Sequence, residues 1–173
     1  GIAPESIDNA ATDFGMPMGP IELADTVGLD ICKNVASILA KTMGMELPKN
    51  LEHIVASGKL GKKTGSGFYH YKKDKVQKNK KIQHKNIQEI QDRLIMKLLN
   101  ESVACLREGI VENEDMIDAG VIFGTGFAPF RSGSMHHIHS EGTEKLIEKM
   151  SELEKQFGQR FKPDQYWQEL KND

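Results

Sequence analysis

The sequence predicts an all-α protein built from two related helical units. Aromatic residues make up only 6% of the 173 residues, and the alternation of apolar and polar residues that is typical of strands is nearly absent. A short motif occurs twice at a constant offset of 109 (123 minus 14), as FGMPMGP over Phe14–Pro20 and as FGTGFAP over Phe123–Pro129. Helices packed on helices, with one such motif in each unit, are therefore the expected architecture.

Each copy of the motif predicts a helix stop followed by a new helix. Its glycine can take the left-handed conformation that ends a helix, and a proline soon after it cannot continue one. Pro20 also suits the first turn of the helix that follows. Upstream of the motif, Gly1–Ala3 matches Gly109–Val111. Ala10 matches Ala119 if one residue is inserted in the second copy. The chain is therefore predicted to be a duplication.

The first unit is predicted over residues 1–71. Pro4 begins a short helix, because proline is favourable in a first turn, and this helix ends at the first motif. A second helix follows from Pro20, and Asp30 can cap a third. Residues 50–57 are expected to form a fourth.

A glycine-rich segment, Gly58–Tyr71, closes the first unit. Its four glycines and three lysines suggest phosphate binding, but the spacing fits neither the P-loop motif GxxxxGK[ST] nor the dinucleotide motif GxGxxG. The favoured interpretation is a turn-rich cover over the helices, anchored by Phe68 and Tyr69. The alternative is a loop whose lysines approach an anionic ligand.

Residues 72–86 are predicted to be a basic linker. Lys72–Lys85 contains seven lysines and one acidic residue, Asp74. A solvated connector is the favoured interpretation, because the run has no interleaved aromatic residues beyond Tyr71 and no recognisable binding fold. The net charge of −2 also argues against a strong attraction to nucleic acid or anionic lipid. The sequence therefore predicts no nucleic-acid partner.

The second unit is predicted over residues 87–173 and opens with a long helix that runs into Gly109. Its apolar stripe consists of Leu94, Ile95, Leu98, Leu99, Val103 and Leu106. These spacings of one, three and four place the stripe on one helical face. The corresponding helix of the first unit would precede Gly1, so the first unit is expected to lack its long N-terminal helix. We accordingly expect the chain to be a fragment of a longer protein.

Three other features point to no additional site. His136, His137 and His139 could bind a metal, but no carboxylate or cysteine at a familiar spacing completes the ligand set, and a helical turn explains the cluster equally well. Cys32 and Cys105 lack paired spacing and are expected to be small, reduced core residues. No apolar run reaches membrane-spanning length, and no signal peptide is visible.

Several ordered segments of both units carry a resemblance to a known family. They are Ile7–Ala10, Phe14–Pro20, Leu23–Asp30, Gly58–Tyr71, Asp92–Leu94, Leu99–Glu101 and Gly124–Arg131. Together they resemble the C-terminal, all-helical region of the 3-hydroxyacyl-CoA dehydrogenase family. The likeness is to the duplicated form found in the large multifunctional subunit of fatty-acid β-oxidation complexes. The fold implied is two tandem helical units that are similar to the C-terminal domain of 6-phosphogluconate dehydrogenase.

The resemblance implies an enzyme that oxidises a (3S)-3-hydroxyacyl-CoA to the 3-oxoacyl-CoA with NAD as the hydride acceptor. In the family a His-Glu pair on a Rossmann domain removes the hydroxyl proton, the Glu orienting the His. No histidine here has the family's Phe-Asn-Pro context, and the glycine-rich NAD turn is absent from the sequence. We therefore expect no catalytic, NAD-binding or metal-binding residue among these 173 residues, and no activity from them alone.

The one site residue that the resemblance implies is Phe123, as a substrate contact. Multifunctional members usually have a tyrosine just before the second corner, and the match here is Phe123, which keeps the apolar ring but lacks the hydroxyl. The alternative is that Phe123 is a core residue that mirrors Phe14. The sequence also departs from the family at His136, His137 and His139, and at Asp92, where relatives carry Asn.

The partners implied are a fatty acyl-CoA substrate, the chain's own Rossmann domain, and either a second copy or a thiolase subunit. The competing interpretation is a purely structural helical module for oligomerisation or docking. A missing first-unit helix would leave an apolar groove, so the chain is expected to self-associate or to borrow a neighbour's helix. The expected location is the cytoplasm of a bacterium, or the mitochondrial matrix if the source is eukaryotic.

Overall fold

The structure, a computed structural model, describes residues 1–43, 46–79 and 86–170. It confirms the all-α fold class, with one small two-stranded antiparallel sheet added. The helices are α1 (Pro4–Phe14), α2 (Pro20–Val27), α3 (Leu29–Met43), α4 (Lys49–Ala56), α5 (Ile87–Arg107), α6 (Glu114–Thr125), α7 (Ser134–Glu141) and α8 (Thr143–Phe157). The strands are β1 (His70–Lys72) and β2 (Lys75–Gln77). None of the helices in the described part of the chain is long and apolar enough to cross a membrane.

The chain divides into two compact units. The first comprises Gly1–Thr12 and Met18–Ile87, and the second comprises Asp13–Pro17 and Gln88–Asp173. The predicted division after residue 71 therefore differs from the observed one, because the segment that follows belongs to the first unit. The last turn of α1, with the residues up to Pro17, is counted with the second unit because Phe14 packs into the core of that unit.

Part of the predicted linker over residues 72–86 is instead a β-hairpin. Tyr71 pairs with Val76 and Lys72 pairs with Lys75. The two turn residues between the strands both have positive φ, as a tight hairpin requires. The linker prediction was wrong here because a run of lysines favours a solvated chain, whereas consecutive residues of the two strands pair across the hairpin. Residues 80–85 of the predicted linker lie outside the described residues.

The helices confirm the duplication, but they change its register. Helices α1, α2 and α3 have 11, 8 and 15 residues, and α6, α7 and α8 have 12, 8 and 15. In the first unit the Asp8 carboxylate accepts hydrogen bonds from the backbone N–H groups of Ile21 (2.8 Å) and Glu22 (3.1 Å) at the start of α2. In the second unit Asp118 does the same at the start of α7, for Met135 (2.6 Å) and His136 (3.0 Å).

These equivalent hydrogen bonds give an offset of 110 (118 minus 8) for the first helix of each unit and of 114 (135 minus 21) for the second. The constant offset of 109 is therefore wrong. The second corner has four additional residues, and it contains the short 3-10 turn Pro129–Arg131. Gly124 lies inside α6 and is not its cap, which is the left-handed Gly126.

Both carboxylate caps require a glycine beside them. A Cβ atom at Gly19 would overlap the Asp8 carboxylate, and a Cβ atom at Gly133 would overlap the Asp118 carboxylate. Only glycine allows the backbone to approach so closely. The true counterpart of Gly19 is therefore Gly133, which lies outside the motif copy that the sequence suggested.

The core of the second unit is formed around α5. Its fully buried members include Leu99 and Val103 of α5, Met150 of α8, and Trp167 near the C-terminal end of the described chain. The Trp167 indole N–H donates to the side-chain oxygen of Asn100 at 2.8 Å. In the described residues the first unit has no counterpart of α5.

Candidate functional site

The glycine-rich segment of the first unit is held by a buried carboxylate, Asp25 of α2. Its two oxygens accept hydrogen bonds from the backbone N–H groups of Phe68 (2.9 Å) and Tyr69 (2.8 Å). The Tyr71 hydroxyl also donates to Asp25, at 3.2 Å. A Cβ atom at Gly67 would overlap this carboxylate. The glycine and the aspartate are therefore required together.

A second carboxylate, Asp8 of α1, ties the same segment to the start of α2. The Tyr69 hydroxyl donates to Asp8 at 2.7 Å, and the Tyr69 side chain is buried. Burial raises the pKa of Asp8, while the hydrogen bonds from Tyr69 and the two backbone N–H groups oppose that rise. Burial and the neighbouring carboxylates also raise the pKa values of Tyr69 and Tyr71. Both phenols therefore remain hydrogen-bond donors, which suits a structural role.

The lysines of this segment do not converge on an anion site. Lys63 is paired with Asp30 at 2.6 Å, and Lys59 and Lys62 are exposed. Tyr69 is buried and Phe68 is half-buried, as the turn-rich cover requires. The geometry therefore supports the cover interpretation over phosphate binding.

Phe123 lies on α6 and is 90% exposed. The alternative that it is a core residue is therefore wrong. With the corrected offset of 110, Phe123 corresponds to Asp13 (123 minus 110), which is exposed in the first unit. The buried aromatic residue of the second corner is Phe127. Its ring packs edge-on against the Phe14 ring, with 5.5 Å between the ring centroids. An exposed phenylalanine ring is available for contact with a ligand or another surface, and its role as a substrate contact stays a prediction.

The three histidines of α7 point to three different environments. His136 is exposed, and its backbone N–H donates to Asp118. The ring Nε2 of His139 lies 2.8 Å from the Oε2 of Glu114. His137 is buried, and its ring meets the ring of Phe14 edge-on at 5.4 Å. No three His, Cys, Asp or Glu side chains among residues 1–43, 46–79 and 86–170 converge as a metal site would require.

A polar groove of about 310 Å³ in the second unit lies between α5 and the α7–α8 pair. Two of its cations are already neutralised, since Lys149 pairs with Asp92 (2.9 Å) and Lys145 pairs with Glu141 (2.7 Å). A third, the Arg131 guanidinium, stacks on the Phe14 ring at 4.1 Å and donates to the Phe14 carbonyl. The described lining contains no activated nucleophile, so the groove has no evident catalytic chemistry.

The stability of the second unit is expected to fall in acid because of His137. Burial, with a smaller contribution from Arg131, lowers the pKa of His137 below its usual value of about 6.5. The unfolded chain therefore binds this proton more readily than the folded chain does. The stabilising contribution is present above about pH 6.5 and is lost as pH falls toward the lower, folded-state pKa.

Urea unfolding followed by the fluorescence of the single tryptophan checks this between pH 7.5 and pH 5. His137→Phe keeps an aromatic ring and should remove part of the pH dependence. His136→Gln, at an exposed neighbouring position, should leave the dependence intact. An identical pH profile for His137→Phe and the unchanged chain would rule out this origin.

Sequence reasoning missed the roles of Asp8, Asp25 and Asp118. The first two lie in segments that carried the resemblance, but they were assigned no function. The signal that could have found Asp8 and Asp118 is an aspartate inside a helix with a glycine at the start of the next helix, repeated in both units. The partners of Asp25 are more than 40 residues away, so no local pattern reveals them.

Comparison with known proteins places the first unit in a family of domains. Residues 1–71 match the family model described as 3-hydroxyacyl-CoA dehydrogenase, C-terminal domain. Among curated relatives, the fatty acid oxidation complex subunit alpha of Vibrio cholerae serotype O1 is 37% identical over 171 residues, covering 92% of this chain. The protein of the same name from Shewanella baltica is 34% identical over 177 residues, covering 94%. This chain spans about a quarter of the length of these relatives, 24% and 25% respectively.

Solved structures show the same helical arrangement. The dehydrogenase part of multifunctional enzyme 1 from C. elegans matches with a TM-score of 0.71 and 25% identity, over 98% of this chain and 42% of that one. The 3-hydroxybutyryl-CoA dehydrogenase of Escherichia coli K12 matches with a TM-score of 0.77 over 99% of this chain and 55% of that one, but at 19% identity it supports the fold alone. The resemblance to the helical C-terminal region of the 3-hydroxyacyl-CoA dehydrogenase family that the sequence predicted is thus confirmed, with the family model matching residues 1–71 and the relatives matching both units.

Proposed function

We propose that this chain is the helical C-terminal part of an NAD-dependent (3S)-3-hydroxyacyl-CoA dehydrogenase of fatty-acid β-oxidation, where it lines the substrate cleft and supports assembly. The observation that carries the proposal is that the matched residues, 1–71, coincide with helices and a cover segment that Asp8 and Asp25 join into one structure. The names of the curated relatives supply the fatty-acid oxidation context.

The residues present do not fit NAD. A dinucleotide site is built on a parallel sheet, with a glycine-rich turn between a strand and a helix. The only sheet in the described residues is the hairpin of β1 and β2, and the glycine-rich segment is engaged with Asp25. We therefore assign the redox step to residues outside this chain.

Phe123 supplies the test of a role in the substrate cleft. The full-length product of the parent gene would be assayed for NAD reduction with 3-hydroxybutyryl-CoA and with a longer 3-hydroxyacyl-CoA, beside the 173-residue chain alone. We expect no activity from the chain alone. We expect Phe123→Ala in the full-length enzyme to lower kcat/KM about tenfold, a loss of ~1.4 kcal/mol in transition-state stabilisation.

The matched control is Phe130→Ala, which removes a second exposed ring, 73% accessible, from the same unit. This variant should change kcat/KM by less than about twofold, which is below ~0.5 kcal/mol. Equal kinetics for the unchanged enzyme and Phe123→Ala, with folding intact, would remove Phe123 from the substrate site. NAD reduction by the 173-residue chain alone would contradict the division of labour proposed here.

The second candidate function is a structural module that holds a second copy or a thiolase subunit. The observation that favours it is the exposed apolar side of α2 and α3 in the first unit, where large residues are about half accessible. Surfaces of this kind drive association. The two candidates are compatible, because Phe123 and this surface belong to different units.

A further inference from the structure

The exposed apolar surface of the first unit follows two consecutive helices. Its members, with their exposed fractions, are Leu23 (49%), Val27 (48%), Ile31 (48%), Val35 (50%), Ile38 (67%) and Leu39 (47%). We call this set the α2–α3 face. Leu23 and Val27 share one side of α2, and Ile31, Val35 and Leu39 share one side of α3, because residues four apart on the same helix lie on the same side. Monomeric proteins rarely leave so many large apolar residues of two consecutive helices in water unless the surface binds something.

The duplication shows what covers the same positions in the second unit. With the offset of 114 (135 minus 21), Leu23, Val27, Ile31 and Val35 correspond to His137, Glu141, Lys145 and Lys149. All four of these second-unit residues line the groove that faces α5. The Lys149 ammonium also forms a salt bridge with the Asp92 carboxylate of α5, with 2.9 Å between Nζ and Oδ1. The side of the helix pair that α5 occupies in the second unit is therefore the side left exposed in the first.

We propose that the α2–α3 face binds an amphipathic helix in the way that α7 and α8 hold α5. The occupant is a helix of about six turns, the length of the 21-residue α5, with a continuous apolar stripe. A second α2–α3 face would not reproduce this arrangement. The inference rests on the internal repeat and does not depend on the dehydrogenase function proposed above.

The substitutions between the two units define the chemistry of the helix further. Where the second unit has Lys149 opposite Asp92, the first unit has Val35. A carboxylate facing Val35 would lose water without gaining a partner, which is unfavourable. The helix that fits the α2–α3 face is therefore apolar at the place that Asp92 takes on α5. It is more hydrophobic than α5 along the contact line.

This requirement supplies a probe taken from the chain itself. A fluorescent peptide of residues 87–107 carrying Asp92→Leu would be titrated with the full 173-residue chain, and binding followed by anisotropy. The same peptide with Asp92 retained is the matched comparison. We expect saturable binding of the Asp92→Leu peptide, and binding at least about tenfold weaker, ~1.4 kcal/mol, for the unchanged peptide.

The site is localised by introducing the second unit's residues into the first. Ile31→Lys with Val35→Lys copies Lys145 and Lys149, and we expect it to weaken peptide binding by more than about tenfold. The control is Ile110→Lys with Met116→Lys, which adds the same charge at two exposed apolar positions of the second unit. This control should leave peptide binding unchanged. Circular dichroism checks that both double variants keep their helices.

Three outcomes would overturn the proposal. One is that neither peptide binds. Another is that both peptides bind equally. This comparison uses only the unchanged chain, so it still tests the proposal if the Ile31→Lys, Val35→Lys variant does not fold. The third is a dimer in light scattering that Ile31→Lys with Val35→Lys dissociates, while the Asp92→Leu peptide fails to compete with it. That result would make a second copy the occupant.

Discussion

Replacing Asp25 by alanine is expected to lower the stability of the first unit by about 3 kcal/mol. Asp25 is fully buried and accepts three hydrogen bonds, from the N–H groups of Phe68 and Tyr69 and from the Tyr71 hydroxyl. Alanine would leave one buried donor, the Tyr69 N–H, and two partly buried donors without an acceptor, and each fully buried group of this kind costs about 1–3 kcal/mol. The Gly58–Tyr71 cover should then separate from α2.

Hydrogen exchange measured by NMR is the suitable readout, because it follows each of the two compact units residue by residue. The amide protons of Phe68 and Tyr69 should lose most of their protection in Asp25→Ala, and Asp25→Asn should lose less, since it keeps one acceptor oxygen. Glu52→Ala, at an exposed position of α4 in the same unit, should change stability by no more than about 0.5 kcal/mol. Unchanged protection in Asp25→Ala would mean that the carboxylate does not hold the segment.

Two glycine substitutions in the second unit are expected to have opposite signs. Gly133→Ala should destabilise the unit by about 3 kcal/mol, because Gly133 has a φ of 109° and its Cβ atom would overlap the Asp118 carboxylate. Gly124→Ala should stabilise the unit by about 0.5–1 kcal/mol, because Gly124 lies inside α6 and the added Cβ atom would enter open space.

The buried Trp167 reports on this unit, so urea unfolding followed by its fluorescence gives both values. The pair also tests the register of the duplication. If Gly124 were the helix cap that the motif at offset 109 implied, its replacement by alanine would be destabilising. A loss of stability in Gly124→Ala, or none in Gly133→Ala, would therefore contradict the register based on the two aspartate caps.

Most of the helical fold could be predicted from the sequence. The apolar stripe of α5, the glycine and proline punctuation, and the recurrence of the corner motif depend on residues close together in the chain, so they identify helices and a duplication directly. The β-hairpin over residues 70–77 could not be recognised in the same way. Its lysines suggested solvent, and its stability depends on backbone pairing between strands that are individually only three residues long.

The candidate site was predictable only in part. The resemblance suggested Phe123 as a substrate contact, and the structure shows an exposed ring at that position. The repeated motif paired Phe123 with Phe14, and this pairing is wrong. Phe14 is buried, as Phe127 is, whereas Phe123 is exposed. Four additional residues in the second corner shift the spacing, and a gapless comparison of two short motifs cannot detect such a shift.

The sequence by itself determined the class of fold, the existence of two related units, and the family that they resemble. Only the tertiary structure decided which residues are equivalent in the two units, that Asp8 and Asp118 cap the next helix, and that Asp25 anchors a segment more than 40 residues away. The physical reason is the sequence separation between the interacting residues. Helices are specified by residues three and four positions apart, whereas a buried carboxylate accepts hydrogen bonds from whichever donors the folded chain brings to it.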